Sequence, residues 1–216
     1  MLAQSCDKTL HERRVLCQLP GQVGSDCCDN AKSTINNFES PLFMSSYLVR
    51  PATVGDAKAI AEIHVAAWLV AYKDLMPEED LKKISVEKRQ AFWREAIDFS
   101  EPQVLVATED EVVVGFAGFD RSRDKGSKAT TGEIWALYVS PPEWRQGIGL
   151  ALWDGARDGL KEEGCTQVSL WVLLGNEAAL RFYEQAAGFK REMASLKTVS
   201  IGSVKLEEIR LKRDLD

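Results

Sequence analysis

The sequence predicts an α/β fold of the α+β kind, in which helices pack against a largely antiparallel sheet. Short runs rich in β-branched residues, such as "QVLVATED" at 103–110 and "QVSLWVL" at 167–173, predict strands. Segments with apolar residues at helical spacing lie between such runs. The run "EVVVGFAGFDR" follows the first of these strands after a short acidic turn, which is typical of an antiparallel hairpin.

Length and composition indicate a globular protein. The chain has 216 residues, of which 45% are hydrophobic, enough for one domain with a tail or for one large domain. A net charge of −6 argues against a general polyanion binder, so no nucleic-acid partner is expected. No run reaches ~18 uninterrupted apolar residues, and the N-terminal region is too charged for a secretory signal. We therefore expect a cytoplasmic protein without a membrane partner.

The cysteines also fit a reducing cytoplasm, because their number is odd and no secretory signal precedes them. Cys165 precedes a predicted strand and has no base partner in the sequence, so we expect a structural role for it. The other four are spaced too irregularly for a zinc motif, and no metal is expected. These four are Cys6, Cys17, Cys27 and Cys28.

The segment 1–44 differs from the rest of the chain. It is rich in Gly, Ser, Asn and Asp and lacks sustained periodicity, so it cannot bury enough apolar surface to fold alone. We predict a disordered extension over 1–44 and one domain over 45–216. Met44 resembles a natural start, so the extension is either an upstream start assignment or a genuine part of the protein.

The first half of the domain predicts a strand, two helices and the hairpin, in that order. The strand is "YLVRPAT" at 47–53, and Thr53 with Asp56 resembles the capping box of the helix that follows. Pro77 ends this helical pattern, and "SVEKRQAFWREAI" resumes one before the hairpin. The polar stretch "RSRDKGSKATTG" predicts a loop. The apolar face of the first helix consists of Ile60, Ile63, Ala67 and Ala71.

The second half alternates strands and helices. "EIWALYV" predicts a strand that ends before Pro141, because proline cannot continue a central ladder. A helix then runs to a stop at Gly164, followed by the strand "QVSLWVL". "NEAALRFYEQA" predicts a helix capped by Gly188, and two last strands flank the turn "SIGS".

The stretch "RQGIGLALWDGARDGL" places Gly147 and Gly149 at the entry to a helix. Glycine is costly there unless the backbone must turn sharply or approach something closely. The first amides of a helix lack internal partners and the helix dipole is positive there, so this loop suits a phosphate. The spacing matches neither the Walker pattern nor the dinucleotide fingerprint. On this motif alone, a tight strand-to-helix turn is an equal alternative.

Two linked motifs change this balance. "LYVSPPEWRQGIGLAL" followed by "LWVLLGNEAALRFYEQAAGF" resembles the GNAT family of acetyl-CoA-dependent N-acetyltransferases, over roughly residues 47–212. The resemblance implies a central mixed, mostly antiparallel sheet of about six to seven strands, splayed at the coenzyme cleft and flanked by about four helices. One departure is Trp144 at the family's Arg/Gln position, with Arg145 displaced by one residue. The matching residues are Gly147, Gly149, Asn176, Tyr183, Gly188 and Phe189.

The resemblance implies acetyl-CoA as the cosubstrate and direct transfer to an amine, without a covalent enzyme intermediate. The amides of residues 145–150 would hold the pyrophosphate, the strand edge at Leu137 and Val139 would pair with the pantetheine arm, and the Val139 amide would polarise the thioester carbonyl. Asn176 would also contact the coenzyme. The full expected set is Leu137, Tyr138, Val139, Arg145, Gln146, Gly147, Ile148, Gly149, Leu150 and Asn176.

Two residues are candidates for proton transfer. Tyr183 matches the family's acid, which protonates the leaving thiolate; the alternative is a core tyrosine. Glu133, at the start of the central strand, is the candidate base for the amine, and the alternative is an exposed edge carboxylate. Some family members carry a glutamate on the following strand, where this chain has Trp171. This difference argues against the kind of protein N-terminal acetylation that those family members catalyse.

The first helix carries three further candidates. Trp68 and Tyr72 lie at the end where the family builds its acceptor groove, so they either line the acceptor pocket or pack in the core. His64 lies in the apolar part of the helix, and we expect a satisfied core histidine rather than a catalytic one.

The sequence therefore predicts an acetyl-CoA-dependent N-acetyltransferase of a small-molecule or protein amine. A non-catalytic acyl-CoA-binding or regulatory module on the same fold is the main alternative, and an interaction protein with a plain strand-turn-helix is a third. A homodimer is left open.

Overall fold

A computed structural model describes residues 47–215 of the chain. The predicted extension over 1–44, its four cysteines and the domain boundary at residue 45 lie outside the described residues and stay predictions. Cys165 is buried and unbridged. Burial raises the pKa of its thiol, which fits the structural role expected for it.

The described residues form eight strands in a single sheet. The strands are β1 Leu48–Pro51, β2 Gln103–Glu109, β3 Val112–Arg121, β4 Thr131–Val139, β5 Gln167–Leu173, β6 Lys190–Arg191, β7 Lys197–Ile201 and β8 Val204–Asp214. Their order across the sheet is β1-β2-β3-β4-β5-β8-β6, with β7 also paired to β8. Only β4 and β5 are parallel neighbours; the other pairs are antiparallel.

Five α-helices accompany this sheet in the described residues: α1 Ala57–Tyr72, α2 Glu78–Leu81, α3 Val86–Phe99, α4 Ile148–Glu162 and α5 Glu177–Arg181. The predicted class, a mostly antiparallel sheet flanked by helices, is confirmed. The structure adds a two-residue strand, β6, and a single helical turn, α2, which are too short to give a periodic pattern in the sequence. No helix within 47–215 has the length and apolar character needed to cross a membrane.

The core lies on both faces of the sheet. On one face α4 packs against β4, where Leu152 and Leu137 belong to the same buried cluster. On the other face α1 and α3 pack against the same strand, where Trp93 and Tyr138 share a second cluster. A third cluster joins the end of α1 to α2 and to the end of β5. Both sides of β4 are therefore buried, which explains its nearly continuous apolar sequence.

A bulge in β4 sets which of its side chains face α4. Along β3, the pairing steps from Ala136 directly to Ile134, so Trp135 is the extra residue. Such a bulge bends a strand and shifts the alternation of its side chains between the two faces of the sheet. Ile134 and Leu137, three residues apart, consequently belong to the same buried cluster beneath α4.

The helix that carries the second motif is shorter than the predicted span of 176–186. α5 ends at Arg181, and Phe182–Ala186 forms a π-helical turn. The amide of Phe189 then donates to the carbonyl of Tyr183 at 2.8 Å, which turns the chain toward β6. π-helical turns are rare and are frequent at functional sites, and this one carries Tyr183.

Candidate active site

β4 and β5 pair over only three positions and then separate. The last pair is Glu133 with Ser169, yet β4 continues to Val139 and β5 to Leu173. The predicted splay of the sheet is thus confirmed. It leaves the β5-facing edge of β4 without a partner strand beyond Glu133, so backbone groups on this edge can hydrogen-bond a ligand that lies along it.

A cleft of about 220 Å³ lies at the open end of this splay. Its walls come from β4, from the loop and first turn of α4, and from the π-helical turn, and they are almost entirely apolar. Sequence analysis had proposed five of the lining residues but missed Trp144, Phe182 and Ala186. Phe182 and Ala186 are four residues apart, a spacing that places them on one helical face. The lining residues are Leu137, Val139, Trp144, Gly147, Gly149, Leu150, Phe182 and Ala186.

The loop before α4 has the backbone of an anion site. Gly147 precedes α4 with φ of +89°, and Arg145 also has a positive φ, +69°. Backbone amides in left-handed turns of this kind form concave anion sites. Among the described residues, no backbone carbonyl accepts a hydrogen bond from the amides of residues 145–149. A Cβ at Gly147 would have no atom within 4 Å, so the space beside the loop is open.

Gly149 has a different task from Gly147. A Cβ at this position would lie 3.2 Å from Cε2 of Phe182 and 3.9 Å from Cδ2 of Leu137. The absence of a side chain therefore lets α4 approach the π-helical turn closely and narrows the cleft. Of the two glycines, only Gly147 has the positive φ and the open space that an approaching phosphate needs.

The departure from the family pattern at Trp144 also has a structural explanation. The indole Nε1 of Trp144 donates to the carbonyl of Val139 at 2.7 Å, and its ring lines the cleft. Gln146 is held at the loop by hydrogen bonds with Tyr47 and Glu143. Within 47–215, the exposed Arg145 makes no ion pair or side-chain hydrogen bond. Its guanidinium is therefore available for an anion.

Two of the expected coenzyme contacts have their side chains in the core. Tyr138 is fully buried on the α1 side of the sheet. Ile148, the first residue of α4, is buried in the core cluster on the other side. Because both side chains point away from the cleft, only their backbones are available to a ligand there. Their place among the coenzyme contacts stays a prediction for the backbone alone.

Tyr183 lies in the π-helical turn, next to Phe182 of the cleft wall. Its side chain is 2% exposed and packs against the rings of Phe182 and Phe189. Its hydroxyl has no hydrogen-bond partner among the described residues, yet it is not one of the fully enclosed unpaired atoms. Desolvation and the nearby Tyr72 phenol raise the pKa of Tyr183. The hydroxyl therefore keeps its proton at neutral pH.

Asn176 joins Tyr72 to α5, the helix that precedes the π-helical turn of Tyr183. Its Oδ1 accepts from the amide of Ala179 and caps α5, while its Nδ2 donates to the Tyr72 hydroxyl at 3.3 Å. Desolvation of the fully buried phenol raises the pKa of Tyr72. Since Asn176 is 4% exposed and already bonded at both ends, its observed contacts are structural. Its contact with a coenzyme stays a prediction.

Trp68 packs with Tyr72 in the third cluster, where their ring centroids are 4.4 Å apart. Both side chains are buried, so the core packing considered for them is present, and a role in acceptor binding stays a prediction. His64 is buried as well, and its Nδ1 accepts from Nε1 of Trp93 at 3.1 Å. Its Nε2 is enclosed with no partner among the described residues. This histidine lies in the core as expected, but only one of its two nitrogens is satisfied.

Glu133 is buried and paired rather than at an exposed edge. Its Oε1 lies 2.5 Å from Nη2 of Arg123, and its Oε2 accepts from the amide and Nε of the same arginine. The guanidinium of Arg123 also lies 3.9 Å above the ring of Trp135. Both carboxylate oxygens are bonded to Arg123, so catalysis would require one of them to accept the proton of the amine while Arg123 stays bound. Its role as the base stays a prediction.

The described residues hold no group of three or more His, Cys, Asp or Glu side chains arranged for a metal ion.

Comparison with solved structures supports this description of the fold. The N-acetyltransferase PaiA of Thermoplasma acidophilum, solved with coenzyme A, superposes with a TM-score of 0.64 at 22% identity, over 78% of this chain and 99% of that one. The protein YncA of Salmonella typhimurium, solved with acetyl-CoA, gives a TM-score of 0.61 at 25% identity, over 80% of this chain and 95% of that one.

Sequence comparison agrees. An uncharacterized N-acetyltransferase of Bacillus subtilis (strain 168), YuaI, is 29% identical over 164 residues, which make up 76% of this chain and 90% of that protein. The model of the acetyltransferase (GNAT) family matches residues 58–189, more than half of the chain and all of the cleft. Fold, cleft and family match agree, and the chain belongs to the acetyltransferase (GNAT) family.

Proposed function

We propose that the protein transfers an acetyl group from acetyl-CoA directly to an amine, within a ternary complex of enzyme, acetyl-CoA and acceptor. The observation that carries this proposal is the cleft itself, where a strand edge without a partner strand meets an open loop with the backbone of an anion site. The phenol of Tyr183 lies buried in the π-helical turn that supplies Phe182 and Ala186 to the cleft wall. Membership of the acetyltransferase family supports the reaction class.

The residues of the cleft fit the coenzyme. The amides of 145–149 and the guanidinium of Arg145 would hold the pyrophosphate, since both are without partners among the described residues. The apolar walls would take the pantetheine arm, and the β5-facing edge of β4 would pair with its amides. When bound, acetyl-CoA supplies the acetyl group as a thioester; the structure's own residues orient it and exclude water.

Tyr183 would act as the general acid. Its raised pKa keeps the hydroxyl protonated, and because no described residue hydrogen-bonds it, the proton is available to the leaving thiolate. The backbone amide of Val139 would polarise the thioester carbonyl. Glu133 remains the candidate base, with a water relay as its alternative. A cytoplasmic location stays a prediction, and a homodimer is left open.

Replacing Tyr183 by phenylalanine tests this assignment. The ring and its packing remain, so the melting temperature and the calorimetric affinity for coenzyme A should stay close to those of the wild type. We expect kcat for coenzyme release to fall roughly 10²–10⁴-fold, while KM for acetyl-CoA changes little. This split is expected because the hydrogen bond strengthens only as charge develops on sulfur.

A rise in KM without a loss of kcat would make Tyr183 a binding residue. Full activity would assign protonation of the thiolate to water. If the wild-type protein binds coenzyme A but releases none from acetyl-CoA with any member of a broad amine panel, it is a non-catalytic acyl-CoA-binding module instead.

A further inference from the structure

A second pocket, of about 250 Å³, lies on the sheet face opposite α4. Its floor includes Thr131 of β4 and Ser169 of β5, and its walls carry four cationic side chains and no acidic one. The chain as a whole has a net charge of −6, so this concentration of positive charge runs against the general character of the protein. The four cations are Lys125, Lys128, Arg210 and Lys212.

The pocket begins where the sheet starts to splay. Ser169 pairs with Glu133, the last rung between β4 and β5, and on its other side with Lys212 of β8. Directly paired residues share a face of a sheet, so Glu133, Ser169 and Lys212 lie on one side. α4 lies on the other side, because a Cβ at Gly132 would come within 2.6 Å of Leu160. The pocket therefore adjoins the vertex of the splay from the face opposite the anion-binding loop.

The positive charge of the pocket is only partly neutralised. Arg210 pairs with Asp124 at 2.7 Å, and Glu192 pairs with both Arg210 and Lys212. Within 47–215, the ammonium groups of Lys125 and Lys128 make no ion pair or hydrogen bond. Two acids thus face four cations, and the pocket keeps a net positive charge. Such a site favours an anionic ligand group.

An unpaired donor lies beside the same vertex. Nε1 of Trp135 is enclosed and has no partner among the described residues. Its ring lies under the guanidinium of Arg123, which also holds Glu133, so Trp135 belongs to the same neighbourhood. A buried donor without an acceptor costs free energy, so the described residues do not fully satisfy the polar groups beside this rung.

We propose that the acetyl acceptor is an amine that carries a carboxylate or a phosphate at the far end of an extended chain, and that this second pocket binds the anionic group. The inference rests on the proposed function, because it needs the thioester carbonyl to lie at the Val139 amide. Five strand steps separate Val139 from the Glu133 rung once the bulge is discounted, which is about 16 Å at ~3.3 Å per step. An amine joined to its anionic group by an extended chain of about twelve carbons spans such a distance.

Matched pairs of amines test the inference with the full chain and acetyl-CoA. 12-Aminododecanoate is compared with 12-aminododecanamide, and 12-aminododecyl phosphate with 12-aminododecanol, by coenzyme release. We expect a higher kcat/KM for the anionic member of at least one pair, and the preferred pair distinguishes carboxylate from phosphate. In K125Q/K128Q, KM for the anionic amine should rise roughly five- to tenfold, with kcat and the neutral amine little affected. Added salt should weaken the wild-type preference.

The matched control is K58Q/K88Q, which also removes two exposed lysines but on α1 and α3. The inference is overturned if the neutral amines react equally well, or if K125Q/K128Q behaves like this control. If none of the four amines is acetylated, their binding to the protein saturated with coenzyme A decides, and equal or absent binding of both members of each pair overturns it. The proposed function is judged separately, by coenzyme A affinity and by turnover with other amines, including peptides.

Discussion

Nδ2 of Asn176 donates a hydrogen bond of 3.3 Å to the hydroxyl of Tyr72, and this bond ties the start of α5 to the end of α1. The two residues are 104 positions apart in the chain. Their contact places the buried phenol of Tyr72 next to the start of α5, which leads into the π-helical turn of Tyr183. It links the cluster at the end of α1 to the element that precedes this wall of the cleft.

A double-mutant cycle of Asn176→Ala and Tyr72→Phe measures this link. The single alanine variant should lose about 1 kcal/mol for the helix cap and further stability for the unpaired Tyr72 hydroxyl. The cycle should give a coupling of about 1 kcal/mol between the two sites, measured by urea unfolding. A coupling of zero would mean that the contact contributes nothing. A selective rise in KM for acetyl-CoA in Asn176→Ala, with kcat retained, would instead support the predicted coenzyme contact.

Gly147 and Gly164 allow a controlled test of the anion-binding loop. Both lie at ends of α4, both have positive φ, +89° and +77°, and a Cβ at either would have no atom within 4 Å. Valine at either position should cost about 1–2 kcal/mol of stability, because an L-residue is strained in the left-handed region. Only Gly147→Val should weaken coenzyme A binding, by at least tenfold in calorimetry at temperatures where both variants are folded. Equal affinities in the two variants would exclude the loop as the pyrophosphate site.

Variants of Glu133 and Arg123 distinguish a catalytic role of the Glu133 carboxylate from a structural one. If Glu133 is the base, Glu133→Gln should lower kcat roughly 10²–10⁴-fold. Arg123→Gln removes the guanidinium but keeps the backbone amide of residue 123 as a donor to the carboxylate, and should cost about 2 kcal/mol of stability. If Glu133→Gln instead keeps kcat and loses only stability, the carboxylate serves to hold Arg123 over Trp135, and a water relay takes the amine proton.

Because His64 is buried, we expect the protein to lose stability in mild acid. Desolvation, with a smaller contribution from Arg89, lowers the pKa of His64 well below its usual 6.5. The unfolded chain therefore binds a proton that the folded chain refuses, and the free energy of unfolding should fall as pH drops below 6.5. The slope is at most about 1.4 kcal/mol per pH unit.

Urea unfolding of wild type and His64→Asn between pH 7 and 5 measures this effect. The asparagine amide oxygen can replace Nδ1 as the acceptor for Trp93, but it does not titrate, so the variant should lose most of the slope. The pKa of Asp56, lowered to about 2 beside Arg50, makes its stabilisation fade only at more acidic pH. The same slope in both proteins would assign the acid sensitivity to other groups.

The order of the main elements could be predicted from the sequence because it depends on local chemistry. The proline pair after Val139, the glycine stop at Gly164 and the positive-φ turn at Gly147 act over a few residues each. The two motifs around Gly147 and Tyr183 were sufficient to predict the family, which the family match confirms.

The tertiary structure decided which side chains meet, because those contacts join residues far apart in the chain. The close approach of Gly149 to Phe182 and the bond of Asn176 to Tyr72 have no local signature. Arg123 lies in a stretch that the sequence predicts only as a polar loop, yet it pairs with Glu133. The bulge at Trp135 reversed the alternation of β4 and so determined which of its residues face the cleft, since a shift of one residue moves every following side chain to the other face.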